Sequence, residues 1–209
     1  MTTDELERRL TEKLPVDRLA SVASFFVSRI DTLADERIEE RASALHDPAA
    51  RAELTSLQGR VAIANAKLAY QSFKSLCAEP RFRALAERGA RVQRPLWAST
   101  STKNPSYSDV LYVESLIGPD TVNTLPFETI AAFRDHGRAR PTIEEDVDGA
   151  RLTIERLAQA GVSLPAITQQ VLEEGLRKFA EPFEKLLRAI EAKRATPAAT
   201  RGTVRLAVP

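Results

Sequence analysis

Three short apolar runs separated by long helical patterns predict an α/β protein with a parallel sheet. The runs lie at residues 19–27, 95–99 and 121–124. The first run is nearly free of charge, which is typical of a strand buried on both faces of a parallel sheet. Strands that alternate with helices indicate βαβ units, whose strands run parallel. We therefore expect ligand-binding groups at the carboxyl ends of these strands.

Helical periodicity fills the region between the first two runs. Residues 32 to about 90 form a predicted helical insertion, which is far longer than one crossover helix requires. Within it, steps of three and four place five apolar residues on one stripe: Ile63, Ala66, Tyr70, Phe73 and Cys77. Asp47 before Pro48 predicts a helix start with an aspartate N-cap. Near the N-terminus, Asp4 is the predicted N-cap of a helix over residues 4–13.

Further helices are predicted after the second run. They cover residues 107–117 and 126–136. Another helix is expected to start at Thr142, which forms a capping box with Glu145. A last long helix is indicated by one apolar stripe, formed by Leu172, Leu176, Phe179, Phe183 and Leu187. Pro182 is expected to distort this helix.

Composition narrows the function classes. The 209 residues contain 30 Lys and Arg against 29 Asp and Glu, a net charge of +1. This balance predicts no strong field for nucleic acid or an anionic membrane. No run approaches the ~18 apolar residues that span a bilayer. The single cysteine, Cys77, excludes an internal disulfide and fits a reducing compartment. We expect a cytoplasmic protein with one domain over residues 1–194 and a mobile tail over residues 195–209.

Three motifs carry a resemblance to a known family. The segments SVASFFVSRID (21–31), WASTSTKNP (97–105) and GPDTVNT (118–124) resemble, in this order, the sixth-strand, seventh-strand and eighth-strand motifs of transaldolases. The order suits the longer bacterial branch, which carries a helical insertion between strands six and seven. The resemblance covers roughly residues 5–190. It implies the C-terminal part of a (β/α)8 TIM barrel, with about three parallel strands, a large helical insertion and C-terminal helices.

The resemblance also implies an activity. Transaldolases move a dihydroxyacetone unit between sugar phosphates in the pentose phosphate pathway, converting sedoheptulose 7-phosphate and glyceraldehyde 3-phosphate to erythrose 4-phosphate and fructose 6-phosphate. A lysine on the fourth strand forms a Schiff base with the donor ketone, and no metal or organic cofactor is required. Carboxylates on the first and third strands move the protons.

The Schiff-base half of that fold has no counterpart in this sequence. Only 18 residues precede Leu19, which leaves no room for strands one to five. The chain alone is therefore expected to be inactive. A separate polypeptide carrying strands one to five would complete it, and self-association through the open sheet edges is the other expected partnership. The alternatives are a catalytically inactive fragment and a helical interaction module.

The resemblance assigns five residues to substrate and phosphate binding: Ser24, Phe26 and Arg29 after strand six, and Ser99 and Lys103 after strand seven. From position alone, an arginine here would more often pair with Asp31 or Asp35 on the helix surface, and Ser24 would be an ordinary capping hydroxyl. With the motif, phosphate binding is favoured because the guanidinium fork suits a phosphate.

Two further expectations concern the loop after the second run. Lys103 is the candidate for a replacement Schiff-base lysine, but that role requires a buried amine, and the surrounding hydroxyls predict a polar, solvated one. Ser101 stands where relatives commonly carry glycine. If that position requires a positive φ angle, serine would strain the loop.

Overall fold

A computed structural model gives the fold of residues 2–195. The elements, in chain order, are α1 (Thr3–Thr11), β1 (Ser21–Phe26), α2 (Ser28–Ser43), α3 (Pro48–Thr55), α4 (Val61–Ala78), α5 (Pro80–Ala86), β2 (Gln93–Ala98), α6 (Leu111–Ser115), β3 (Val122–Asn123), α7 (Phe127–His136), α8 (Val147–Gln159) and α9 (Leu164–Ala195). The three predicted strands are all present. β1 and β3 are shorter than their apolar runs, whereas β2 begins two residues before its run and ends one residue earlier.

The strands form one parallel sheet in the order β1-β2-β3. Ser21 lies opposite Gln93 and Phe26 opposite Ala98, so the ends of β1 and β2 are level. Leu96 pairs with Val122 in the short strand β3. Chain order equals spatial order, and each connection is helical. This is the arrangement of successive βα units.

The prediction that the first strand is buried on both faces is wrong for this chain. Ala23 and Ser24 are exposed, and the side chain of Val22 keeps 41% of its accessible surface. Within residues 2–195, β1 pairs on one side only, with β2. β1 is therefore an edge strand of the described sheet, and side chains on both of its faces are exposed, although its apolar sequence is suited to burial.

Four helices, α2 to α5, occupy the region between β1 and β2 where the sequence predicts the helical insertion. The predicted cap of α3 is confirmed, because Asp47 Oδ1 accepts the Ala49 amide at 2.9 Å and Pro48 is the first helical residue. The predicted cap of α1 is wrong. Thr2 occupies the N-cap, with its hydroxyl accepting from Glu5 N, and Asp4 lies inside the first turn.

In the segment after β2, two predictions made from neighbouring residues do not match the structure. The helix predicted over residues 107–117 shrinks to α6, because the residues before it are held in a loop. The predicted capping box is wrong as well. Thr142 is buried and its hydroxyl donates to the Glu114 carbonyl. The helix starts after Asp146 instead, whose carboxylate accepts the Gly149 amide at 3.1 Å.

Trp97 lies at the centre of the packing around the sheet. Its side chain is 1% exposed, and its indole N–H donates to the Leu116 carbonyl at 3.1 Å. Phe25 meets it edge-to-face, with ring centroids 5.7 Å apart. Cys77, expected in the core, is half-buried and lines a cavity of about 650 Å³ beside Phe73 and Trp97.

The chain divides into two compact units, with the boundary between Ile167 and Thr168. The second unit, as far as the structure describes it, consists of α9 residues up to Ala195. All five residues of the predicted apolar stripe are exposed in this unit, and two further large apolar side chains, Leu186 and Ile190, are exposed beside them. The predicted mobile tail lies outside the described residues, apart from Ala195. Among the helices described here, none is both long and apolar enough to cross a bilayer.

Candidate functional site

The candidate site lies where β1 and β2 end side by side. Parallel pairing continues past the strands, since Val27 N donates to the Ala98 carbonyl and Ser28 N to the Ser99 carbonyl, each at 2.9 Å. The backbone thus brings Phe26, the start of α2 and Ser99 to one edge of the sheet. Ser24 lies two residues earlier on the same strand and is exposed.

Ser99 has a backbone conformation that residues other than glycine rarely adopt. Its φ angle is +57°, in the left-handed region. Ser28, which is 1% exposed, fixes it by a hydroxyl–hydroxyl hydrogen bond of 2.8 Å. Residues in this region cost on the order of 1–3 kcal/mol and cluster at functional sites. The strain expected at Ser101 is not found there, because Ser101 does not adopt a positive φ angle.

Arg29 is the second residue of α2 and lies at the positive end of that helix. Its guanidinium carbon stands 4.5 Å from the centre of the Phe26 ring, a cation–π contact. In the part of the chain that the structure describes, no carboxylate forms an ion pair with Arg29. The alternative pairing with Asp31 or Asp35 is therefore not made in the described residues, and the charge stays available to an anion.

Lys103 lies in the loop that follows β2. It is exposed, and its ammonium donates to Ser101 Oγ at 2.8 Å. The loop is shaped by its own side chains, with Thr102 Oγ1 donating to the Ser108 carbonyl and Asn104 Oδ1 accepting from Ser106 N. An exposed lysine among hydroxyls lacks the burial that activates a Schiff-base amine.

The third strand reaches the same edge through residues that the sequence did not single out. Thr100 is completely buried, and its hydroxyl donates to Asn123 Oδ1 at 2.7 Å. Thr124 N donates to the Trp97 carbonyl at 3.0 Å. The turn after β2 is thus fixed to the end of β3 immediately beside Ser99. The TVNT motif was the only sequence signal for this contact.

A second group of residues behind the loop was also missed. Asp31 and Asp35, one turn apart on α2, lie near Tyr107 and Tyr112. Burial raises the pKa of Asp31 to about 6, against an opposing hydrogen bond from the Ala62 amide. Burial also raises the pKa of Asp35. The pKa of each tyrosine is raised, first by burial and then by these carboxylates.

Comparison with known proteins shows the family of this chain. A sequence profile described as "Transaldolase/Fructose-6-phosphate aldolase" matches residues 8–190. The chain belongs to this family. The match includes all three strand-end motifs and the whole insertion, so the family and the site described above concern the same residues.

Curated relatives within the family agree. "Transaldolase 2" of Nostoc sp. is 47% identical over 191 residues, covering 90% of this chain and 50% of the relative. A "Transaldolase" of Trichodesmium erythraeum is 45% identical over 190 residues, with the same two coverages. One from Frankia alni is 44% identical over 186 residues. The chain therefore spans about half the length of the curated relatives it matches.

Proposed function

We propose that the strand-end site holds the phosphate of a sugar phosphate for a transaldolase reaction. The observation that carries this proposal is Arg29, stacked on Phe26 and left without an acidic partner in the described residues, beside the strained Ser99. A guanidinium binds two phosphate oxygens at once, and serine hydroxyls and loop amides add further donors. The names of the relatives support this reaction class.

We propose that this chain supplies the substrate-holding side of that reaction and that the reacting lysine comes from polypeptide that this sequence does not include. The lysine would condense with the donor ketone, releasing water and forming an imine. The imine accepts the electron pair when the carbon–carbon bond breaks, and an aldose phosphate leaves. The remaining enamine attacks the acceptor aldehyde, and hydrolysis frees the ketose phosphate and the lysine. The exposed position of Lys103 and the half-length match to relatives support this division.

Complementation tests the proposed function. The purified chain is assayed with sedoheptulose 7-phosphate and glyceraldehyde 3-phosphate, alone and mixed with the half of the Trichodesmium erythraeum transaldolase that this chain does not match. We expect turnover only in the mixture. Borohydride treatment with fructose 6-phosphate should then trap an adduct on the complementing half.

Two outcomes would contradict the proposal that this chain holds the substrate while the reacting lysine lies in another polypeptide. Turnover by the chain alone, with the trapped adduct on Lys103, would show that this lysine is the reacting amine. A mixture that forms a stable complex yet neither turns over nor traps substrate would argue against a transaldolase role.

Arg29→Ala should weaken binding of fructose 6-phosphate to the full chain by about tenfold to a hundredfold, because a charge-assisted hydrogen-bond pair is lost. Arg29→Lys should retain part of the affinity, since an ammonium keeps the charge without the planar fork. Isothermal titration calorimetry measures each constant. Arg37→Ala is the matched control, an exposed arginine on the same helix. Equal losses in the Arg29 and Arg37 variants would contradict the assignment.

A further inference from the structure

Helix α2 uses two carboxylates to hold the corner between α3 and α4. Asp31 Oδ1 accepts the Ala62 amide at 2.7 Å, and Asp35 Oδ1 accepts the Gly59 amide at 3.1 Å. Ala62 is the second residue of α4, whose own N-cap residue makes no side-chain cap. Asp31 therefore caps α4 from another helix. These contacts make the corner a fixed support.

The segment after β2 is attached to the same two carboxylates. Tyr107 donates its hydroxyl to Asp35 Oδ2 at 2.7 Å. Tyr112 interacts more loosely with Asp31. Each acid therefore joins one backbone amide of the insertion to one tyrosine of the segment after β2. The insertion and the site loop meet at this four-residue cluster.

Gly59 shows that the corner accommodates the Tyr107 ring closely. A Cβ atom on Gly59 would lie 2.9 Å from Tyr107 Cζ, too close for any real side chain. The φ angle of Gly59 is +71°, which also favours glycine. The ring thus packs on bare backbone while its hydroxyl reaches Asp35.

These contacts anchor the loop from Ser99 to Tyr107 at both ends. Ser28 holds Ser99 at one end, and Asp35 holds Tyr107 at the other. Lys103 lies midway between the two anchors. Loosening either end would increase the conformational freedom of the lysine and raise the entropy lost when it meets an anion.

We propose that Tyr107 is a positioning residue for the phosphate site: its bond to Asp35 fixes the 99–107 loop so that Lys103 is held ready for the anion bound by Arg29. This inference rests on the proposed function, because it takes the ligand to be a sugar phosphate. Tyr107 acts through Lys103 and need not touch the ligand.

Tyr107→Phe tests the positioning role because it keeps the ring on Gly59 and removes only the hydroxyl. Hydrogen exchange on the full chain without ligand should show the amides of residues 101–104 and of Ser106 exchanging about tenfold faster or more. Affinity for fructose 6-phosphate, measured by calorimetry at about pH 8, should fall about fivefold to tenfold. In a Lys103→Ala background the same substitution should change affinity less than about twofold, because the residue to be positioned is gone.

Tyr70→Phe is the matched control. The Tyr70 hydroxyl also makes one long-range hydrogen bond, to the Pro119 carbonyl at 3.0 Å, but Pro119 precedes β3 and lies away from the strand-end site. This variant should leave loop exchange and affinity unchanged. It shows how far the loss of a hydrogen bond from any tyrosine hydroxyl changes exchange and affinity through the whole chain.

Hydrogen exchange and fructose 6-phosphate affinity together separate failure of this inference from failure of the proposed function. Unchanged exchange in Tyr107→Phe overturns the positioning role whatever the affinity. Faster exchange with unchanged affinity also overturns the positioning role. So does a loss of affinity on Tyr107→Phe that is as large in the Lys103→Ala background as in the unaltered chain. If the unaltered chain does not bind fructose 6-phosphate, the proposed function fails, and the exchange result alone decides whether Tyr107 fixes the loop.

Discussion

Trp97→Ala should lower the free energy of unfolding by about 3–5 kcal/mol, the range for removing a buried aromatic side chain. The indole is 1% exposed and meets Phe25 edge-to-face, so alanine would leave a cavity at the centre of the sheet packing. It would also leave the Leu116 carbonyl without its donor. A loss of this size is a large fraction of the stability of a typical domain.

Urea unfolding followed by circular dichroism measures this loss, because the variant removes the only tryptophan in the chain. Phe127→Ala is the control, since the Phe127 side chain is 88% exposed and its removal should change stability by no more than about 0.5 kcal/mol. A loss below about 1 kcal/mol for Trp97→Ala would contradict the packing described here.

As the pH rises, the Asp31→Asn variant should lose less folding stability than the unaltered protein does. The pKa of Asp31 is about 6 in the fold, above its ordinary value of 3.8, and burial is the main cause. The folded state therefore binds the proton more tightly than the unfolded state does. The stability that this carboxyl contributes is fully present below about pH 4 and is lost as the pH rises through about 6.

The size of the effect follows from the shift. A rise from 3.8 to about 6 corresponds to about 3 kcal/mol lost by the unaltered protein between about pH 4 and about pH 7. Asparagine does not titrate, but it still offers an oxygen to the Ala62 amide. Urea unfolding of both proteins across this pH range measures the difference. If the stability gap between them stays constant with pH, Asp31 is not the buried acid that the structure describes.

An unsatisfied oxygen gives this effect a structural cause. Among the described residues, Asp31 Oδ2 is enclosed without a hydrogen bond of ordinary length. A charged oxygen in that position has lost water, and only the loose contact with the Tyr112 hydroxyl offsets that loss. Protonation removes most of that cost. Asp35 lies in a similar environment but accepts from both Gly59 and Tyr107.

The sequence predicted the elements well because their signals are local. The apolar run before Phe26 and the Asp47–Pro48 start each depend on neighbouring residues only, and the structure confirms both elements. The motifs also predicted that Arg29 and Ser99 would follow the ends of two successive strands, and the structure shows that those ends are level. Parallel pairing then brings them to one edge of the sheet.

Prediction failed where a distant contact overrides a local signal. Thr142 and Glu145 have the spacing of a capping box, but Thr142 bonds to the α6 segment instead. The burial expected for the first strand depended on neighbours that the described chain does not supply. Tyr107 looked like the start of a helix, because nothing in its local sequence reveals Asp35 or the bare backbone of Gly59. Such contacts exist only once separate elements have packed.

The pairing of β1 with β2 across the whole insertion also determines when the site can form. Helices α2 to α5 are stabilised by near neighbours in the chain and can form early and fast. The contact between Ser28 and Ser99 joins residues 71 positions apart, so it must wait until that long segment has folded and closed. The left-handed conformation of Ser99 depends on this late contact. We therefore expect the proposed phosphate site to be among the last parts of the chain to form, after the helices that support it.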